Sequence, residues 1–294
     1  MAEFLQFTIT GITLGMVYAL VALGIVMIFK SSGVLNLAQG ELVLIFSWFA
    51  FGMLAQVELP YWLGLVLVIV FAGGLGWIIE RFCLRRLIAQ PILSLIGVTL
   101  GLIFVLRGIV NLIWPRNVAS LPRLFGIEPI HVGPAVVSQE YIWVLVICLL
   151  LFGLLTLYFK YHKMGIAMRA TADDQFAVQA CGIPVTKIFS TSWMLACVTA
   201  AIGGFLISSI GGVTFGLAEM GTRAFSVVIL GGLDSFIGCI VAGPIIGLCE
   251  NIGGGYLNRL ILGGVKDIIP FIVLIVVLCI KPYGLFGEVR IERI

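Results

Sequence analysis

Charge is what this sequence has least of. Asp, Glu, Lys and Arg make up 11% of its 294 residues, where soluble domains carry about 25%. So few charges cannot clothe a solvated surface, which excludes an ordinary soluble domain. Histidine occurs twice, at His131 and His162, and neither has a carboxylate at catalytic spacing; both read as surface residues. There is no Gly-rich loop closing on Lys-Ser/Thr, so ATP hydrolysis by this chain is not expected. No metalloprotease helix motif and no serine nucleophile elbow of the Gly-x-Ser-x-Gly kind occurs. The seven cysteines, at 83, 148, 181, 197, 239, 249 and 279, show neither metal spacing nor a pairing pattern and read as small buried hydrophobes. The net charge of +3 gives no argument for nucleic acid. Enzymatic activity, a metal and a cofactor in this chain are therefore not expected.

What the chain does have is long apolar runs. Hydrophobic residues make up 61% and the mean hydropathy is +1.21. Phe7–Phe29, Pro60–Ile79, Tyr141–Phe159 and Ile188–Ile210 are close to or above the roughly 20 residues that span a bilayer as helix. Ile92–Trp114 joins them apart from Arg107, and Ala224–Cys249 apart from Asp234. Leu42–Val57 and Ile268–Ile280 are shorter. The runs are continuous and do not alternate with period two, which argues against a barrel. The first run is too long for a signal-peptide core and lacks a basic segment before it, so it reads as a retained span. The expected fold is all-α: one polytopic transmembrane bundle over residues 1–294, with about 8 membrane segments including broken or re-entrant helices.

The basic residues orient it. With Arg81, Arg85 and Arg86 on the cytoplasmic side, Lys30, the segment Lys160–Lys187 and the tail with Lys281, Arg290 and Arg293 fall there too. That side holds 11 of the 17 basic residues, against five (Arg116, Arg123, Arg223, Arg259, Lys266) on the other. The asymmetry favours an outside N-terminus and a cytoplasmic C-terminus. Arg107 is left within a span, where it either snorkels outward, the favoured reading, or pairs with a buried carboxylate such as Asp234.

Parity then raises a difficulty. The run 188–210 exits outside and the run 268–280 starts outside, so 224–249 must cross twice or not at all. A re-entrant pair of half-helices fits, with its break at "GGLDSFIG", Gly231 to Gly238. A companion break, "GVLNLAQGE", follows the first run. Non-helical backbone survives at membrane depth only where protein or water covers it, and Gly-interrupted segments in the two halves of a transporter point to its solute pathway. Asn36, Gln39, Glu41, Gly231, Gly232, Asp234 and Ser235 are the candidate pathway residues. The structural alternative is that Asp234 caps the following helix and that Asn36 and Gln39 close a cytoplasmic turn. Glu41 also reads as a first-turn acid on the following helix. Identity between the halves is weak, and an internal repeat stays only an option.

The loop 160–187 is the one substantial polar insertion on the inner side. Alanines at 167, 170, 172, 177 and 180 favour a helix over about Ile166–Cys181, ended by Gly182 and Pro184. Its small residues suit close docking of another protein better than a solvated or membrane-surface role.

This loop, together with "YALVALGIVMIFKSSGVLNLAQGE", "TRAFSVVILGGLDSFIGCIVAGPIIGLCE" and "DIIPFIVLIVVLCIKPYGLFG", resembles the branched-chain amino-acid family of ABC-importer permeases over nearly the whole chain. The resemblance implies a fold like that of type II importers in a prokaryotic plasma (inner) membrane. It also implies a second similar permease chain as a heterodimer partner, two ATP-binding subunits and an external solute-binding protein. It implies a coupling role for Gly165, Arg169, Ala170, Ala172, Asp173 and Gly182. Many members have glycine where Asp234 stands, which leaves the solute open among amino acids, amides, urea and related compounds. The competing reading is a self-sufficient secondary transporter or channel, which would need a coupling-ion site and leaves the inner loop unexplained.

Overall fold

The computed structural model describes residues 1–87, 90–114, 118–122, 129–258 and 264–287. Arg116, Arg123, Arg259, Arg290 and Arg293 of the charge asymmetry lie outside the described residues.

Helix α1 (Ala2–Ser32) is the axis of the bundle. A helix apolar all round must be covered all round, and every residue from Gly15 to Ile28 is buried. Helix α10 (Phe236–Leu257) runs antiparallel along it, with Gly11 and Gly15 opposite Gly247 and Gly243. A Cβ on Gly11 would stand 2.9 Å from the Gly247 carbonyl oxygen. Such close backbone approach is how helices associate where lipid removes the hydrophobic drive. Helix α8 (Val185–Gly211) lies antiparallel on another flank of α1, with Gly203 against Val21. Helix α3 (Tyr61–Ile78), prolonged by a π-helical turn and a 3-10 turn to Leu87, packs on α8. There a Cβ on Gly76 would meet the Trp193 carbonyl oxygen at 2.6 Å. Helices α4 (Ile92–Ile113), α5 (Gln139–Tyr161) and α11 (Val265–Ile280) close the periphery. They expose Phe104 and Leu112, Leu150 and Leu154, and Ile275 and Ile280, as helices bathed in lipid do. Among the described residues, α1, α3, α4, α5, α8 and α10 are long and apolar enough to cross a membrane. The connection between α4 and α5 contains a short antiparallel hairpin, β1 (Pro129–Val132) and β2 (Ala135–Ser138), with His131 in β1.

Two shorter helices carry the breaks. Helix α2 (Gln39–Phe51), which a π-helical turn continues to Gln56, and helix α9 (Met220–Gly231) have α-helical parts only about 20 Å long at 1.5 Å per residue. After α1 the chain turns at Gly33 (φ 70°), climbs back beside α1, and starts α2 level with Val21 and Gly24. After α8 it turns at Gly212 (φ 79°), makes a bridge from Val213 to Ala119, winds a 3-10 turn over Phe215–Glu219, and starts α9 beside the start of α2. The pieces α1–α4 and α8–α11 thus run in opposite senses through the bundle, an inverted pair of four-helix units.

The structure relocates one expected break. Within the run 224–249 the chain does turn at Gly231–Ser235, but α10 is a full-length helix and only α9 is a half-helix. The re-entrant backbone is Gly212–Glu219, one element earlier, and this removes the parity difficulty. The turn at 231–235 sits at the Lys30 end of α1: Lys30 Nζ donates to the Asp234 carbonyl at 3.1 Å. The C-terminal "KPYGLFG" segment closes over it through Leu285 N–H to Leu230 O (2.8 Å) and Phe286 N–H to Gly231 O (3.1 Å). No Cβ fits at Gly232 or Gly284 there.

The loop 160–187 also differs from expectation. In place of one helix there are two, α6 (Lys163–Asp173) and α7 (Gln175–Ala180). Asp174 breaks them: its Oδ1 accepts the Phe176 and Ala177 amides at 2.8 and 3.0 Å. An aspartate that captures backbone amides competes with the helix around it. Helical propensity alone does not register that competition.

Candidate translocation site

The first break is held by its own polar residues. Asn36 Oδ1 accepts the Ala38 amide at 3.1 Å, and Asn36 Nδ2 donates to Gln39 Oε1 at 2.8 Å. Gln39 Nε2 then reaches the Val21 carbonyl of α1 (3.4 Å) and the Ala196 carbonyl of α8 (3.2 Å). Gly24 leaves the space that Gln39 fills, since a Cβ there would overlap Nε2. Both side chains are fully buried. Their polar atoms are spent on tying the re-entrant chain to the two long helices, as buried amides require.

At the next residue the two half-helices touch. A Cβ on Gly40 would collide with the Ala218 carbonyl oxygen and stand 2.9 Å from Gly221 Cα and N. The N-terminal ends of α2 and α9 therefore meet, and each carries the partial positive charge of a helix start. Glu41 sits in the first turn of α2, where a carboxylate is favoured. Its Oε1 accepts from Arg107 Nη2 of α4 in a short ion pair. Arg107 therefore does not snorkel outward, and Asp234 is not its partner. Helical side chains lean toward the N-terminus, which aims Arg107 back along α4 toward α2. A buried carboxylate within reach is a better partner than distant water. Arg107, Asn111, Phe215, Gly216, Ala218 and Glu219 line an open cleft of about 530 Å³ against this pair.

The second break assembles elsewhere. Ser235, not Asp234, caps α10: its Oγ accepts the Gly238 amide at 3.0 Å. Gly231 packs on the Gly238 backbone, where a Cβ would stand 2.5 Å from Gly238 C. The structure thus brings Asn36, Gln39 and Glu41 together with residues 215–221 and Arg107, and sets Gly231, Gly232, Asp234 and Ser235 apart at the Lys30 end. Arg107 and Glu219 escape a search for interrupted segments. A usable signal exists for the second: "GV…LAQG" at 33–40 is echoed by "GV…LAEMG" at 212–221.

Two further charge clusters, each built on a buried glutamate, tie the helices together. Arg223 of α9 pairs with Glu250 of α10 (3.1 Å) and Asp267 of α11 (2.7 Å), and stacks over Tyr18 of α1. Glu80 pairs with Arg85 at 2.7 Å and also accepts from Ser190 of α8. Each contains a glutamate about 1% exposed, a charge tolerated only when paired. No group of three or more metal-ligating side chains occurs among the described residues.

In the loop, Gly165 is pressed against Tyr158 and Phe159, where a Cβ would stand 2.6 Å from the Tyr158 carbonyl oxygen, and Gly182 takes φ 78° to end α7. Arg169, Ala170 and Asp173 are exposed, Ala172 is half-buried, and Phe176 is 84% exposed.

Comparison with known proteins agrees with this architecture. In fold alone the chain is similar to PsaBC from Streptococcus pneumoniae in complex with Fab, at TM-score 0.52 and 12% identity over 96% of this chain and 93% of that one. In sequence it is 30% identical over 308 residues to the high-affinity branched-chain amino acid transport system permease protein LivH of Escherichia coli (strain K12), covering 99% of this chain and 98% of that protein. It is 28% identical to the corresponding protein BraD of Pseudomonas aeruginosa, over 99% and 98% of the two chains. It is also 28% identical to the probable permease protein LivH of Methanocaldococcus jannaschii, over 91% and 88%. The family described as branched-chain amino acid transport system / permease component matches residues 7–278, and the chain belongs to that family.

Proposed function

We propose that this chain is one of two similar permease subunits of an ATP-driven importer, paired with a different permease chain. It passes a small polar solute, an amino acid in the first instance, from an external solute-binding protein into the cytoplasm. Two ATP-binding subunits supply the energy, and the Lys30 end faces them. The observation that carries this reading is the exposed α6–α7 pair, with Phe176 and a small-residue surface on the end where Arg81, Arg85, Arg86 and Lys30 collect. A large exposed aromatic outside the apolar belt suits a protein partner rather than water. Gly165, Arg169, Ala170, Ala172, Asp173 and Gly182 form that docking unit: Gly165 seats α6 against the end of α5, Gly182 ends α7, and the others form the contact face. The solute passes where α2 and α9 meet. Asn36 and Gln39 shape that passage by fixing the first turn of α2, and Glu41 charges it. Gly231, Gly232, Asp234 and Ser235 form its inner rim, under the C-terminal segment.

The test is reconstitution into vesicles with and without the two ATP-binding subunits and the solute-binding protein. Uptake of radiolabelled leucine should require all of them and ATP. Uptake by this chain and its permease partner alone, driven by an ion gradient, would establish the secondary-transporter reading instead.

A further inference from the structure

Resting on the importer reading, we propose that Arg107 and Glu41 form the binding site for the charged head of a zwitterionic solute. In this site the Arg107–Glu41 ion pair is what the solute replaces. Glu41 is 5% exposed and Arg107 52% exposed in their side chains, so the pair is anchored on its acid side and open on its basic side. Glu41 Oε2 is buried, and among the described residues it accepts no hydrogen bond. Arg107 gives one guanidinium N–H to Glu41, and its half-exposed side chain lines the cleft. Asn111, one turn on, donates from Nδ2 to the Arg107 carbonyl at 2.8 Å, which steadies α4 at this level.

A buried carboxylate oxygen without a donor is costly; Arg107 already balances the charge of Glu41, so what the site lacks is one more N–H donor to Oε2. An arginine half-turned to a cleft offers a fork that matches a carboxylate. A molecule with an ammonium and a carboxylate on one carbon satisfies both needs: ammonium to Glu41 Oε2, carboxylate to the Arg107 fork. The meeting helix N-termini at Gly40 and Gly221 favour the carboxylate at the same point. Glu219 stands at the rim, where it adds negative charge for the approaching ammonium. Phe215 is the apolar part of the cleft wall, and the fully buried Trp48 backs it from behind. Trp48 lies two helical turns after Glu41 on the same face of α2, and its ring stands 5.5 Å from Phe215, a lining residue, and 6.2 Å from Trp114. An aliphatic side chain fits against that wall, whereas urea or a simple amide can donate to Glu41 Oε2 but brings no carboxylate to the Arg107 fork. A cleft of this size holds one amino acid with room to leave, consistent with a transient site.

The experiment uses the importer assembled with its ATP-binding subunits and solute-binding protein, with radiolabelled leucine as probe. In the double variant Arg107→Gln/Glu41→Gln, a neutral side-chain hydrogen bond replaces the ion pair. It should assemble and keep ATP hydrolysis stimulated by the binding protein, while leucine taken up per ATP hydrolysed falls at least tenfold. A purely structural ion pair predicts that this neutral pair transports normally, and that result overturns the site. Should the double variant fail to assemble, Arg107→Lys decides. It keeps the charge but loses the fork, so the concentration for half-maximal uptake should rise severalfold with the maximal rate preserved; an unchanged value overturns the site. Wild-type complex that hydrolyses ATP but takes up no leucine overturns the functional reading and the site with it, and is distinguished by needing no variant.

Discussion

Gly40→Ala is the sharpest probe of the architecture. One methyl group would be placed inside contact distance of three backbone atoms: the Ala218 carbonyl oxygen, and Gly221 Cα and N at 2.9 Å. Backbone atoms cannot rotate aside as a side chain can, so the cost falls at the upper end of the overpacking range, about 3 kcal/mol. Alanine returns about 1 kcal/mol through its better helical propensity. The net loss is then about 2 kcal/mol, or about 4–8 °C in apparent melting temperature on the scale for chains of this size. Gly74→Ala in α3 is the matched control. Nothing lies within 4 Å of a Cβ there, so only the propensity gain remains and stability should hold or rise. The assay is the fraction of detergent-purified permease that stays monodisperse after heating. Gly221→Ala should cost a similar amount, and the double variant less than the sum, because one contact is broken twice. If Gly40→Ala is as stable as Gly74→Ala, the α2–α9 contact is not as described.

The remaining predictions concern the two ends of the bundle. In a background lacking the native cysteines, Ser120→Cys should react with an impermeant thiol reagent added outside intact cells, and Asp174→Cys should react only after permeabilisation; the reverse pattern would invert the proposed orientation. Phe176→Asp places a charge on the exposed aromatic of α7, and should abolish co-purification of the ATP-binding subunits while the permease chain still inserts; normal co-purification would remove α7 from the interface. Ser235→Ala removes the cap of α10 and should lower thermal stability by about 1 kcal/mol. An unchanged melting temperature in Ser235→Ala would remove Ser235 from the cap of α10.

Much of this protein is a direct consequence of its sequence. Apolar runs of membrane-spanning length leave one solvent and one secondary structure available, because only a helix satisfies its backbone hydrogen bonds within one segment. The glycine-flanked interruption at 33–41 declares that the chain leaves the helix there, and Asn36 and Gln39 declare that the freed amides have partners. The Ala-rich loop 160–187 likewise declares helix, ended at Gly182. Tertiary structure decided what these pieces face. Whether Gly231–Gly238 or Gly212–Glu219 re-enters the bundle depends on which helix end lies beside Gly40, and that contact joins residues 181 positions apart. Arg107 reads as a lone charge in a span until α4 is laid beside α2, 66 residues earlier. Arg223, Glu250 and Asp267 read as scattered charges until α9, α10 and α11 converge. Local propensity acts over a few residues, whereas a buried charge is settled by whichever opposite charge the packed helices bring within reach. That pairing is a property of the assembled bundle.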